Sequence, residues 1–64
     1  MSNGAELIRV FIINSLEELP LTVRFYKEKN GNLIYKDYTT DKFYIVERHL
    51  TYYRVYEYKG DCTC

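Results

Sequence analysis

Residues 21–28, LTVRFYKE, alternate between the two sides of an extended chain. Leu21, Val23 and Phe25 fall on one side; Thr22, Arg24 and Tyr26 fall on the other. A two-residue period is that of a β-strand with distinct faces. The next residues, Lys29-Asn30-Gly31-Asn32, break the pattern. Asn-Gly between two strand patterns predicts a hairpin, because a type I′ turn needs φ > 0 at both central residues. The return strand is 33–39, LIYKDYT, and that turn sets Tyr26 opposite Tyr35 and Arg24 opposite Asp37. Both are favourable cross-strand pairs.

Two further stretches read as strand. In 6–13, ELIRVFII, one face holds Ile8, Val10 and Ile12, and the other holds Leu7, Phe11 and Ile13 with only Arg9 as interruption. A strand apolar on both faces needs cover on both. In a single-layer sheet of this size, barrel closure or a partner chain would supply it. The stretch 43–59, FYIVERHLTYYRVYEYK, carries five of the eight tyrosines and lacks Gly and Pro. A reversal near Glu47-Arg48-His49 with a connection of three residues, 49–51, pairs Ile45 with Val55 and Tyr44 with Tyr56. The alternative is one long strand bent by a bulge near Arg48. Alternation then gives a core face of Phe43, Ile45, Tyr53 and Val55, and an opposite face of Tyr44, Val46, Tyr52, Arg54, Tyr56 and Tyr58.

Between the first two strands lies 14–20, NSLEELP. Ser15 followed by Glu18 fits a capping box, and Pro20 disfavours helix at Leu19, so one helical turn at 15–19 is expected. The lead 1–5 reads as frayed and 60–64 as a mobile tail.

The predicted fold class is all-β: a small five-stranded antiparallel barrel or strongly curved sheet of SH3-like size, with strands 6–13, 21–28, 33–39, 43–48 and 52–59. An open sheet completed by dimerisation is the alternative. The expected core is Ile8, Val10, Ile12, Leu21, Val23, Phe25, Phe43, Ile45, Tyr53 and Val55.

Composition narrows the function classes. At 64 residues the chain is a single domain near the lower limit of independent folding, too short for two lobes around a deep cleft. Nine Lys and Arg balance nine Asp and Glu, so a strongly basic nucleic-acid or membrane binder is not indicated. Residues 1–6, MSNGAE, do not resemble a signal peptide, and 7–13 is far shorter than a membrane span. A cytoplasmic protein, complete as a small open reading frame, is expected.

Candidate chemistry is sparse. Cys62 and Cys64 form C-x-C, and with His49 they fall short of the four ligands of a structural zinc site unless two chains share one. A catalytic set of His49, Cys62 or Cys64, and Asp37 or Asp41 would need fixed geometry from a mobile tail. No phosphate-binding glycine loop or nucleophile elbow is present. No enzyme, cofactor or metal is expected.

The remaining signal is the tyrosine face. Tyr combines a large apolar ring with a polar tip and is enriched at interfaces; Arg54 among tyrosines adds a possible cation–π partner. Tyr44, Tyr52, Arg54, Tyr56 and Tyr58 are therefore the candidate binding residues. The favoured function is a protein-binding module of inhibitor or adaptor type, of the kind common in phages and mobile elements, self-associating as a homo-oligomer such as a homodimer. A single-stranded nucleic-acid binder using Tyr44, Tyr52, Tyr56, Arg48 and Arg54 is the alternative, with a structural subunit of a larger assembly as the third reading. Zero net charge weighs against nucleic acid; clustering of cations in three dimensions would restore it.

Overall fold

In the computed structural model, which describes residues 5–60, five antiparallel strands form one sheet. They are β1 (Glu6–Ile13), β2 (Val23–Lys29), β3 (Asn32–Asp37), β4 (Lys42–Arg48) and β5 (Tyr53–Lys59), in the spatial order β1-β5-β4-β3-β2. Strands β2 to β5 make a meander, and β1 adds to its far edge beside β5. The sheet is open: β1 and β2 are its edges. The expected all-β fold with one helical turn is what forms; the expectations for the chain ends fall largely outside the described residues.

Local chemistry explains the turns. Asn30 (φ 54°) and Gly31 (φ 83°) close the β2–β3 hairpin in the left-handed conformations that Asn-Gly tolerates. The β1–β2 connector holds a 3₁₀ turn over Leu16–Glu18. Ser15 caps it, its hydroxyl accepting from the Glu17 amide, while Glu18 reaches back to accept from the Asn14 amide at 3.0 Å. At the β3–β4 end, the Asp37 carboxylate accepts from the Thr39 amide at 2.9 Å and the Thr39 hydroxyl at 2.6 Å, an Asx turn.

Because β1 and β2 lie at opposite edges, their connector must cross the sheet. It crosses on one face, and that face becomes the core. Ile13, Leu19, Val23, Tyr44, Val46 and Val55 form a buried cluster, flanked by Phe11, Leu16, Leu33, Tyr35 and Tyr53. Ile13 and Val23 come from the two edges, so the sheet is strongly curved around this inner face. The ion pair of Arg48 with Glu28 at 3.2 Å reaches from β4 across β3 to β2 and follows the same curvature.

Several core expectations are corrected. The β4–β5 connection has four residues, 49–52, closed by the His49 amide donating to the Tyr52 carbonyl at 3.0 Å. The pairs are therefore Val46 with Val55, Ile45 with Tyr56 and Tyr44 with Glu57. One added loop residue exchanges the faces of β4 relative to β5. A bulge in β1 between Leu7 and Arg9 and another in β2 between Phe25 and Lys27 shift those registers too. Phe25, not Tyr26, faces Tyr35, and Arg24 faces Lys36 instead of Asp37. Ile8, Val10 and Ile12 are 45–52% exposed, Phe25 is 54% exposed and Leu21 is 89% exposed, so none belongs to the core. Val23, Phe43 and Val55 are buried as expected; Ile45 and Tyr53 are half-buried.

Candidate functional site

The outer face is the side of the sheet that the connector does not cover. The registers arrange it in transverse rows. One row runs Leu7, Tyr58, Phe43, Lys36, Arg24; the next runs Val10, Tyr56, Ile45, Ile34, Lys27; Ile12, Arg54 and Glu47 follow. The face is graded in character from edge to edge. Its β1 end is aliphatic, its centre on β5 and β4 is aromatic and apolar, and its β3–β2 end is cationic.

The centre covers itself. The Tyr58 ring stacks on Phe43, with centroids 5.0 Å apart and planes 6° from parallel, and Phe43 is buried. Ile34, between Ile45 and Lys27, is buried as well. The β1 end has no such cover: Leu7, Ile8, Val10 and Ile12 each keep about half of their surface open.

At the loop end of this face the polar groups converge on Glu47. Its Oε1 lies 2.9 Å from His49 Nε2, 3.5 Å from Arg54 Nη1, and accepts from the Tyr56 hydroxyl at 3.5 Å. The hydrogen bond with His49 leads in holding the Glu47 carboxyl below its ordinary value; partial burial works against it, and the charge of Arg54 assists. Tyr52 joins the group through His49, the two rings stacking 4.6 Å apart at 11°.

Of the five residues singled out from sequence, Arg54, Tyr56 and Tyr58 share the outer face of β5, and Tyr52 lies beside them in the 49–52 loop. Tyr44 does not join them. It lies on the inner face, 3% exposed, its hydroxyl donating to Glu57 at 3.4 Å. Burial, reinforced by the Glu57 charge, raises the Tyr44 phenol above its ordinary value. The expected pairing of Arg54 with a ring is replaced by its contact with Glu47. Among the described residues, the cations that sit over rings are Arg9 on Phe11, and Lys27 and Lys36 on Tyr26.

The inner face has its own charged group, of structural character. Glu57 is 3% exposed and meets Arg9 Nε at 2.5 Å and Lys42 Nζ at 3.2 Å. Burial alone would raise its carboxyl, but hydrogen bonds and charge from the two cations bring it net below the ordinary value.

Sequence reasoning missed the outer-face residues of β1, β2 and β3. Leu7, Val10 and Ile12 carried a signal, since β1 was too apolar for one face. Arg24, Lys27 and Lys36 became visible as a set only through register. No group of three or more His, Cys, Asp or Glu that could hold a metal occurs among the described residues; Cys62 and Cys64 lie outside them. No described helix is long and apolar enough to cross a membrane. No protein-family model, curated protein or solved structure matches the chain.

Proposed function

We propose that the chain is a non-enzymatic protein-binding module, with the β1–β5 end of the outer face as its docking surface and a second copy of the chain as its occupant. The observation that carries this reading is the row of half-exposed Leu7, Val10 and Ile12 on an edge strand, beside Tyr56 and Tyr58, with half-exposed Ile8 at the bulge next to them. Contiguous exposed apolar side chains flanked by polar ones mark interaction sites in soluble proteins.

The graded face favours a like copy. A two-fold axis near Val10 packs aliphatic side chain on aliphatic side chain and carries the cationic ends to opposite extremes, so like charges stay apart. The free edge of β1 adds backbone donors and acceptors for strand pairing. A standard interface takes about 800 Å2 per partner, under a fifth of the chain's 4499 Å2. Burying the open half of one such side chain contributes roughly 1 kcal/mol. Eight of them across a dimer give about 8 kcal/mol, within the range lost as rigid-body freedom on association. These side chains therefore do little more than offset that cost, and strand pairing along β1 with contacts from Tyr56 and Tyr58 supplies the net affinity of a weak, reversible dimer.

Sedimentation velocity from 1 μM to 1 mM tests it. The wild type should pass from monomer to dimer in this range, and Val10→Glu with Ile12→Lys should stay monomeric with an unchanged circular-dichroism spectrum. A wild type that remains monomeric throughout removes the second copy as occupant. Dimerisation that survives the double substitution moves the interface elsewhere.

A further inference from the structure

The two edges of the sheet are unequal as templates for a further strand. Both β1 and β2 lie open at the sides of the sheet. An unpaired edge accepts another chain unless charge, a bulge or proline blunts it. β2 is blunted. Four of its seven residues are charged, Arg24, Lys27, Glu28 and Lys29, and its bulge between Phe25 and Lys27 leaves two short regular runs, 23–25 and 27–29.

β1 is not blunted. Its bulge between Leu7 and Arg9 lies near one end and leaves a regular run of five residues, 9–13, with Arg9 as the single charge in it. That charge does not guard the edge. Arg9 Nε lies 2.5 Å from Glu57 Oε1, and its guanidinium sits 4.5 Å from the centroid of the Phe11 ring. The cation is thus drawn toward β5, away from the open side of β1.

The regular run is self-complementary. Opposed residues of an antiparallel pair share a face, so a two-fold axis between two copies of β1 passes beside one residue and its own counterpart. An axis at Arg9 opposes two guanidinium groups, a like-charge pair. An axis at Val10 opposes Ile12 to the bulge at Ile8 and keeps only Arg9, Val10 and Phe11 in regular pairing. An axis at Ile12 draws Asn14 and Ser15 into the ladder, where the chain has already left β1. An axis at Phe11 pairs all of 9–13 without interruption. Val10 then faces Ile12 of the second copy, and Ile12 faces its Val10, both on the outer side. On the inner side Phe11 faces Phe11, and each Arg9 faces an Ile13 at opposite ends of the seam. Aromatic and β-branched cross-strand pairs of this kind stabilise a sheet.

We propose that β1 of two copies pairs antiparallel with Phe11 on the two-fold axis, joining two five-stranded sheets into one of ten strands whose edges are both β2. This arrangement rests on the second copy as occupant of the β1 docking surface and adds how that copy is held. Because each β2 edge is blunted, the assembly closes at two copies and does not extend into a filament. Val10→Glu with Ile12→Lys sets unlike charges across this seam. Exposed ion pairs contribute little and do not replace the lost apolar contacts, so that variant stays monomeric.

The test is isotope-filtered NOE spectroscopy on an equal mixture of 13C-labelled and unlabelled full chain at 1 mM, with amide exchange followed at 50 μM and 1 mM. Contacts between copies are expected from Val10 methyls to Ile12 methyls and from one Phe11 ring to the other. Amides on the free side of 9–13 should exchange at least about twofold more slowly at 1 mM, by mass action. Those on the free side of β2 should exchange at an unchanged rate, and sedimentation velocity should show no species beyond the dimer. Contacts of Val10 with Val10 and of Ile12 with Ile8 overturn the register and leave the second copy in place. Contacts between outer faces that slow no β1 amide overturn the strand pairing. Slowed β2 amides, or larger species, overturn closure at two. A chain that is monomeric at 1 mM overturns this arrangement together with the reading it rests on.

Discussion

The inner face of this sheet and the β1 end of its outer face are made from similar residue types, yet one is closed and the other open. Val46 and Val55 on the inner face are fully buried, while Val10 and Ile12 on the outer face are about half exposed. Hydropathy does not separate them. What separates them is which face the β1–β2 connector crosses with Leu16 and Leu19. In a single-layer domain the covering segment decides which apolar side chains stabilise the monomer and which remain available to a partner.

The widest contrast is between equal truncations on the two faces. Val55→Ala removes two methyl groups from a closed site and should cost about 2–3 kcal/mol. That lowers the melting midpoint of a domain this small by roughly 10–20 °C. Val10→Ala removes the same atoms from a half-open site and should cost under about 1 kcal/mol. Thermal unfolding at low concentration, where the chain is monomeric, reads both. Equal losses would mean that the outer face is closed in solution.

Charge gives a second contrast. The inner carboxylate Glu57 is held ionised by Arg9 and Lys42 against burial; the outer carboxylate Glu47 is held by His49 and Arg54 near solvent. Arg9→Met should therefore raise the Glu57 carboxyl, because burial is then opposed by Lys42 alone. Carboxyl carbon chemical shifts followed from pH 2 to 7 report it, with Glu47 as the unaffected reference. A Glu57 titration that does not move would show that Lys42 alone holds the charge.

Asp37 sharpens the same point at acid pH. Its bonds from Thr39 lead in lowering its carboxyl to about 2. A carboxyl lowered by folding stabilises the native state fully above its unfolded value, near 3.9. That contribution is lost as pH falls from there through about 2. Glu57, also lowered, adds loss in the same direction. Asp37→Asn should remove part of the decline in stability below pH 4. Denaturant midpoints at pH 2, 3, 4 and 6 check it; an identical pH slope in the variant would assign the acid sensitivity elsewhere.

Strand-forming patterns, the Asn30-Gly31 turn and the Ser15/Glu18 cap were legible because each is a local choice with a local chemical signature. Strand ends fall within two residues of expectation for the same reason. The faces were less legible, since a face depends on parity. The 49–52 loop has one residue more than the expected three-residue connection, and that residue moved Tyr44 to the core and Phe43 to the outer side. The bulges at Ile8 and Tyr26 lack any Gly or Pro to announce them. Of the tyrosine face, Arg54, Tyr56 and Tyr58 were correctly grouped because they lie on one uninterrupted strand; Tyr44 was not, because its place depended on the loop. The cationic set on β2 and β3 required both a register and a bulge before its members met.

The smallest expected effect on stability is also the one that most cleanly separates the two faces. Val10→Thr with Ile12→Thr keeps β-branched side chains that suit a strand and adds hydroxyls where water already reaches. Monomer stability should change by less than about 1 kcal/mol. Self-association should fall at least tenfold, because each hydroxyl must be desolvated in the proposed interface. Urea midpoints at 5 μM read the first quantity and sedimentation equilibrium reads the second. If stability and association fall together, the outer face of β1 is part of the monomer's own core. If association alone falls, the strand's second apolar face serves the partner, which accounts for a sequence too apolar for one side of a sheet.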